Sequence, residues 1–378
     1  MLQVLFTLDY EIHGNGEGCS YQLMVEPTGK LMNLFDEYGA KLTIMADTAE
    51  IQKFCDYQEQ TGRDDYHYDR IVAQLQDAIR RGHDVQLHLH TSYFNAHHEA
   101  GRWAQDWSEY NLAALPLHRL NEVVGIGKLT LERLLKPVDP DYRCVAFRAA
   151  NWSMNPSKNV VQALVSNGIK IDSSVFKYGK SAGLVNFDYQ NAPSALIPWS
   201  VNENDICTLS ENGKLLEVPI YSEKRWIGAF ITPQRIRRLY LSQLHRISRT
   251  TAGTEGERSA TVQPRGKAGQ ILSSLGNLHA WKGDFNQCSG RQLIHALERA
   301  ESTYGCIDND LPFVLIGHSK LFTGLNERSL RPFLHFVSSH PDRFGFTTFA
   351  ALDLARYGAT QFKLPATQQE SLIPSRVT

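Results

Sequence analysis

Cysteine is scarce in this sequence and follows no pairing pattern. The six cysteines are scattered along 378 residues, and no two of them have a Cys-x-x-Cys spacing. That spacing is typical of zinc sites and redox motifs, and a dense, regular set of cysteines is typical of small disulfide scaffolds. The absence of both patterns favours reduced thiols over a disulfide framework.

An excess of one charge and a long apolar run are also missing. The chain has 39 Lys and Arg against 40 Asp and Glu, a formal net charge of -1. This balance gives no reason to expect a nucleic acid or an anionic membrane surface as a partner. No apolar run is long enough to span a bilayer. The first residues, MLQVLFTLDYE, lack a basic region and a cleavage site, so we expect a strand there and a cytoplasmic protein.

What is present is the pattern of an α/β protein. Apolar residues make up 42% and charged residues 21%, the balance of a globular chain with a sizeable core. Strands are predicted at 2–9, 41–47, 83–90, 144–148, 169–174 and 312–319, and helices at 26–38, 66–81, 117–136 and 155–168. Strands and helices that alternate at this spacing predict a parallel sheet or a barrel.

The middle of the chain departs from this alternation. Residues 186–225 carry Pro, Asn and Gly between short apolar runs and predict a β-rich insertion, with a hairpin-type turn at 211–214. Residues 230–290 predict a helical insertion. It begins with a basic helix over 232–249, which is typical of a solvated helix face. A polar, Gly-rich stretch over 250–269 follows and is typical of a mobile lid or of disorder.

Polar side chains stand where the predicted strands end. Each has an ordinary structural role open to it, such as capping a loop, hydrogen bonding in the core or holding a salt bridge. Barrel-like α/β folds, however, place their catalytic groups at strand ends, so these side chains would converge on one face. They are Asp9, Glu11, His88, His90, Arg148 and His318.

This set of residue types suits metal-assisted hydrolysis. Two imidazoles and a carboxylate with open positions form a hydrolytic zinc site, or a site for iron, cobalt or nickel. A second carboxylate can take a proton from bound water. A histidine opposite can donate a proton to the leaving group, and an arginine can keep the basic carboxylate ionised.

Five segments resemble motifs of the polysaccharide deacetylase family, also called carbohydrate esterase family 4 or the NodB-homology domain. In chain order they are TLDYE at 7–11, GHDVQLHLHTS at 82–92, FRAANW at 147–152, IDSS at 171–174 and IGHSK at 316–320. The first resembles TFDD, with Tyr10 in place of the second Asp. The third keeps Arg148 but lacks the Pro and Gly of RxPxG. The order and spacing of the five segments are more specific than any one motif.

The resemblance implies a fold of one domain over residues 1–360, with a flexible tail over 361–378. The fold would be a distorted (β/α) barrel with fewer than eight strands, carrying the β-rich and helical insertions. It also implies removal of an acyl group, such as acetyl, from an amino sugar or its glycan, nucleotide-linked or lipid-linked precursor. The expected cofactor is a divalent metal. Zinc is the leading candidate, and Co, Ni, Fe and Mn are alternatives.

The resemblance also assigns roles to residues. Asp9 falls on the catalytic base, Glu11 and His88 on metal ligands, His318 on the general acid, and Arg148 and Asp172 on supporting catalytic positions. The second histidine ligand of the family falls on Ser92. His90 shares a strand face with His88 and is our candidate for the third ligand. His97 and His98, in the following loop, are alternatives.

Four further residues are predicted to line the substrate site: Trp152, His13, Asn15 and Tyr221. Trp152 follows Arg148 and would form an apolar wall or stack on a sugar, although a core position is equally open to it. The partner expected is an N-acetylated sugar, and the oligomeric state is not predicted. Two other functions stay open. One is a metal-independent amidohydrolase acting on cyclic imides or allantoin, and the other is a carbohydrate-binding relative without catalysis.

Overall fold

A computed structural model describes residues 1–237 and 278–357. Most of the predicted basic helix, the Gly-rich stretch and the tail lie outside these residues. The strands are β1 (Leu2–Tyr10), β2 (Leu42–Asp47), β3 (Asp84–Leu89), β4 (His97–Glu99), β5 (Arg102–Ala104), β6 (Ala146–Ala149), β7 (Ile171–Asp172), β8 (Lys180–Ser181), β9 (Phe187–Asp188), β10 (Trp199–Asn202), β11 (Asp205–Leu209), β12 (Leu216–Glu217), β13 (Ser222–Trp226), β14 (Leu278–Lys282), β15 (Leu311–His318) and β16 (Phe344–Phe346). The α-helices are α1 (Glu26–Asp36), α2 (Thr48–Thr61), α3 (Tyr68–Arg80), α4 (Leu117–Leu135), α5 (Ser157–Ser166), α6 (Gly290–Tyr304) and α7 (Gly324–Ser338).

One large sheet organises the molecule. Its strands follow the order β11-β10-β12-β7-β6-β3-β2-β1-β15, and β16 pairs with the start of β1. The pairs from β12 to β15 along this path are parallel, whereas β10 is antiparallel to both of its neighbours. Just beyond β12, Ile220 forms a parallel bridge to Val314 of β15, which brings the two sides of the curled sheet together. Seven of the described strands, from β12 to β15 along this path, therefore form the barrel. The predicted distorted barrel with fewer than eight strands is confirmed.

The barrel strands are buried on both faces. All six residues of β2 and all six of β3 are buried, and α2, α3 and α4 pack against this part of the sheet. A parallel sheet that is covered on one side by helices and filled on the other by side chains requires continuous apolar runs rather than alternation. Strands β1 and β15 carry such runs, whereas β3 (DVQLHL) is buried but alternates polar and apolar residues.

The structure differs from the sequence prediction at helix α2. This helix was not predicted, although its start carries a recognisable signal. Asp47 accepts hydrogen bonds from the backbone N–H of Ala49 (3.1 Å) and Glu50 (3.4 Å) and so caps the helix. An N-cap carboxylate satisfies backbone donors that have no partner within the helix.

The β-rich middle region also differs in detail. The hairpin turn lies between β10 and β11, whereas residues 211–214 connect β11 to β12, which flank β10 on opposite sides. At the described end of the predicted helical insertion, β14 forms an antiparallel ribbon with β13. No helix in the described ranges is both long and apolar enough to cross a membrane.

Close packing of α4 on the sheet yields a test of the fold. A Cβ added at Gly127 would lie 2.7 Å from Oγ1 of Thr48 and 2.9 Å from a methyl of Leu87. A Cβ at Gly29 in α1 would meet its nearest neighbour at 3.4 Å. Both Gly→Ala changes gain helix propensity, but only Gly127→Ala overpacks the core.

We therefore expect Gly127→Ala to be less stable than Gly29→Ala by about 1–3 kcal/mol in the free energy of unfolding. Urea unfolding of the two variants measures the difference. Equal stabilities would contradict the packing of α4 against β3.

Candidate active site

Strand register collects the polar residues at one edge of the barrel. Asp9 of β1 pairs with His318 of β15, Asp47 of β2 pairs with His88 of β3, and His88 pairs with Arg148 of β6. All of these pairs are parallel, so their carboxyl-terminal ends meet on the same side. Catalytic groups are found at this edge in barrel folds.

A buried ion pair joins Asp9 to Arg148. Nη1 of Arg148 donates to Oδ1 of Asp9 at 2.8 Å, and Nε donates to the carbonyl of Ser173 at 2.8 Å. Burial would raise the pKa of Asp9, but the guanidinium of Arg148 lowers it below the ordinary value. On the other side, Nε2 of His318 lies 3.5 Å from Oδ2 of Asp9. Asp9 is therefore an ionised carboxylate with an imidazole beside it.

Glu11 has one satisfied oxygen and one open oxygen. Oε1 accepts a hydrogen bond from Nζ of Lys320 at 2.7 Å. Oε2 is buried and accepts no hydrogen bond of good geometry, although Nε2 of His88 lies 3.5 Å away and Nδ1 of His90 lies 3.1 Å away. Burial would raise the pKa of Glu11, but Lys320 and His90 hold it well below its usual range. Glu11 is thus a second carboxylate with a free coordination position.

His88 points its acceptor nitrogen at that open oxygen. Nδ1 lies 2.9 Å from the backbone carbonyl of Arg148, an acceptor, so Nδ1 carries the proton and Nε2 carries a lone pair. In the neutral imidazole, the lone pair of Nε2 and the charged Oε2 of Glu11 would repel each other across 3.5 Å unless a proton or a metal cation lies between them. An imidazole whose second nitrogen is held by a carbonyl is the usual arrangement of a histidine metal ligand.

His90 is drawn into the same cluster but has another partner. It lies one residue beyond β3, and its Nδ1 is 2.6 Å from Oδ2 of Asp47. Burial would lower the pKa of His90, but Glu11 and Asp47 raise it to about 9. Ligand atoms of Glu11, His88 and His90 all lie within 4.8 Å of one another, as do those of Asp47, Glu50 and His90. The three predicted ligands are therefore brought together, and His90 would exchange its proton for a cation.

The alternative ligands lie elsewhere. Oγ of Ser92 donates to Oε1 of Gln105 at 2.8 Å and is fully buried. His97 and His98 stand on the exposed strand β4. His97 lies 3.5 Å from Glu99, and His98 packs against aromatic rings.

Asp172 lies beneath the cluster rather than in it. Its carboxyl accepts a hydrogen bond from Oγ of Ser174 at 2.7 Å and shares a second one with Glu217. Burial raises the pKa of both carboxyls, and the proximity of Asp172 raises that of Glu217 further, so the pair retains a proton. Oγ of Ser174 also accepts from the backbone N–H of Ala149. Asp172 is fully buried and supports the end of β6 through Ser174, and its expected catalytic role stays a prediction.

Trp152 stands at the rim, close to the end of β6. Its ring contacts Phe176 edge-on at 5.4 Å, and Nζ of Lys282 lies 3.5 Å from its centroid. The ammonium therefore covers one face of Trp152. This face is not open for stacking on a sugar, and the role of Trp152 in lining the substrate site stays a prediction.

The remaining predicted lining residues do not join the cluster. His13 and Asn15 lie on an exposed loop, where Asn15 donates to Glu17 at 2.8 Å. Tyr221 is buried, and its hydroxyl donates to Glu223 at 2.6 Å. This hydrogen bond engages the polar atom of Tyr221, and its assignment to the substrate site stays a prediction.

Three residues of the site were missed in the sequence. Asp47 ends a predicted strand, as Asp9 and Arg148 do, so the same rule could have found it. Lys320 lies two residues after His318, within a quoted motif. Lys282 ends β14, which follows a long polar stretch, and no sequence pattern marks it.

Comparison with known proteins relates the fold to solved structures. No protein-family profile matches the sequence, and no curated protein matches it. A proposed glycoside hydrolase/deacetylase from Parabacteroides distasonis is 12% identical, with a TM-score of 0.54, over 95% of this chain and 72% of that one. A proposed polysaccharide deacetylase from Mycobacterium smegmatis is 13% identical, with a TM-score of 0.45, over 100% and 93%. The PuuE allantoinase is 12% identical, with a TM-score of 0.47, over 96% and 92%. The first of these likenesses establishes a shared fold.

The Asp9–Arg148 pair yields a stability prediction. Arg148→Met leaves a buried carboxylate without its partner and should lower the free energy of unfolding by about 3–5 kcal/mol. Arg331→Met, which removes a half-exposed partner of Glu37, should cost at most about 1 kcal/mol. The double variant Arg148→Met/Asp9→Leu should recover much of the loss. Denaturant titrations of the variants measure these values, and an Arg148→Met protein as stable as the parent would contradict the buried pair.

Proposed function

We propose that this chain is a metal-dependent hydrolase of the polysaccharide deacetylase type, which removes an N-acyl group from an amino sugar. Acetyl is the leading candidate for the acyl group. The fold is shared with a proposed glycoside hydrolase/deacetylase. The assignment of an amino sugar as the substrate rests on the five sequence motifs, and the assignment of hydrolysis rests on the site geometry.

One observation carries the proposal. Oε2 of Glu11 is buried without a hydrogen bond, and Nε2 of His88 faces it at 3.5 Å with its lone pair. These donors fit a divalent cation, and Nδ1 of His90, 3.1 Å from the same oxygen, supplies a third ligand. Zinc suits two imidazoles and a carboxylate.

The residues around this pocket supply the proton transfers. A metal held by Glu11, His88 and His90 would polarise an amide carbonyl and a water molecule. Asp9, kept ionised by Arg148, accepts the proton of the attacking water. Nε2 of His318 lies 3.5 Å from Asp9, and burial lowers the pKa of His318, so it begins neutral. It can therefore take the proton from Asp9 and deliver it to the amine.

A metal-independent hydrolase of the same fold is the second candidate, and one observation favours it. Lys320 already neutralises Oε1 of Glu11 at 2.7 Å, and a charged His90 lies 3.1 Å from Oε2. In that case the lysine and the imidazolium would take the place of a cation. Metal titration separates the two candidates.

We predict that replacing any of the three proposed ligands weakens metal binding, whereas replacing Ser92 does not. Glu11→Gln and His88→Ala should each lose most of the bound metal. His90→Ala should weaken binding about as severely as His88→Ala, whereas Ser92→Ala should change it little, because Ser92 is bonded to Gln105. Calorimetric titration with Zn²⁺ of the metal-depleted proteins measures this order. Tight binding by His90→Ala would mean that His90 stays with Asp47.

The two proton-transfer residues should separate from metal binding. Asp9→Asn removes the basic oxygen and should keep the metal while lowering kcat by about 10²–10⁴-fold. His318→Ala should spare the metal and slow amide hydrolysis more than hydrolysis of an activated ester, since the ester leaving group needs no proton. Rates on an N-acetyl sugar and a nitrophenyl ester measure both effects. An equal loss on both substrates would assign His318 to positioning.

A further inference from the structure

Lys282 lies at the reaction side of the barrel and has no role in the proposed chemistry. It ends β14, and two residues later Asp284 forms a parallel bridge to Ile316 of β15. The backbone N–H of His318 donates to the side chain of Asn286 in the same segment. The segment after Lys282 therefore runs alongside the end of β15 that carries His318.

The ammonium of Lys282 rests on aromatic rings. Nζ lies 3.5 Å from the ring centroid of Trp152 and 4.5 Å from that of Phe176. Among the described residues no carboxylate oxygen lies within 4.0 Å of it to form an ion pair. Lys282 is partly exposed, so its three N–H donors, which the rings alone cannot satisfy, remain accessible to an acceptor on a ligand.

Lys282 lies among charged groups. Those close enough to influence it are the carboxylates of Asp284 and Asp9 and the guanidiniums of Arg148 and Arg235. Asp9 is paired with Arg148, and Asp284 accepts hydrogen bonds from the backbone of residue 286 and the side chain of residue 287. Each of these carboxylates thus already has a partner other than Lys282. Burial lowers the pKa of Lys282 to about 8, which keeps it mostly charged at pH 7.

We propose that Lys282 binds an anionic group of the substrate, a phosphate or a carboxylate, and thereby selects acidic over neutral amino sugars. The sugar part of this statement rests on the proposed function, whereas the anion part rests on the unpaired ammonium. Trp152 and Phe176 contact the ammonium, but two rings cannot satisfy all three of its N–H donors, so an anionic group can accept from those that remain. Trp152 then positions Lys282 and affects substrate binding through the position of that side chain.

Binding measurements test the proposal without requiring turnover. The ligands are N-acetylglucosamine, its 6-phosphate, N-acetylmuramic acid and inorganic phosphate, titrated by calorimetry into the full chain. The sugar phosphate and the carboxylate sugar distinguish the two anion types, and inorganic phosphate tests the anion site without a sugar. We expect at least one anionic ligand to bind about 10- to 100-fold more tightly than N-acetylglucosamine, the range for hydrogen bonds to a charged group.

Two variants and a control assign the preference to Lys282. Lys282→Met should abolish the preference and leave N-acetylglucosamine binding within about twofold, because the aliphatic stem still covers Trp152, while Lys282→Arg should retain it. Lys224→Met is the matched control, since Lys224 also lies over a ring, that of Tyr178 at 5.0 Å, but is exposed on the paired strand β13. It should change nothing.

Either of two results overturns the proposal. One is a wild-type protein that binds the neutral sugar as tightly as every anionic ligand, a result that needs no variant. The other is an equal loss for neutral and anionic ligands in Lys282→Met. A chain that prefers anions but releases no acetate would instead contradict the proposed hydrolysis and leave this inference in place.

Discussion

The buried side chain of Arg148 organises the candidate site. It donates to Asp9 on β1 and to Ser173 beyond β7, while its backbone carbonyl faces Nδ1 of His88 on β3. One residue of β6 therefore fixes groups from three other strands. A fully buried guanidinium must have partners on its donors, since an unpaired one would cost several kcal/mol. This requirement ties the strand ends into one arrangement and gives Asp9 its charge.

The two carboxylates of the site acquire different roles from their partners. Asp9 and Glu11 are two residues apart and both are buried, yet Asp9 pairs with Arg148 and Glu11 pairs with Lys320. Arg148 engages one oxygen of Asp9 and leaves the other beside His318, which suits a base that hands on a proton. Lys320 engages one oxygen of Glu11 and leaves the other facing two imidazoles, which suits a ligand. In the proposed mechanism, environment rather than residue type separates base from ligand.

Sequence reasoning reached the parts of the site that follow from strand geometry. Parallel strands with in-register ends bring Asp9, His88, Arg148 and His318 together, and the two-residue repeat of a strand places Glu11 and His90 on the same side. It could not show which neighbour a side chain chooses. The hydroxyl of Tyr221 donates a hydrogen bond to Glu223. Lys282 lies at the site because β14 pairs with β13, and no local sequence pattern predicts that pairing.

The metal content of the purified wild-type protein tests the central claim most directly. The claim is that Oε2 of Glu11 and Nε2 of His88 share one divalent cation. Elemental analysis after exposure to Zn²⁺ and gel filtration should give about one metal per chain, and chelation should remove both the metal and the hydrolysis of N-acetyl sugars. A chain that retains no metal and hydrolyses an amide at the same rate with or without chelator would contradict the claim. It would instead favour Lys320 and a charged His90 as the groups that take the place of a metal cation.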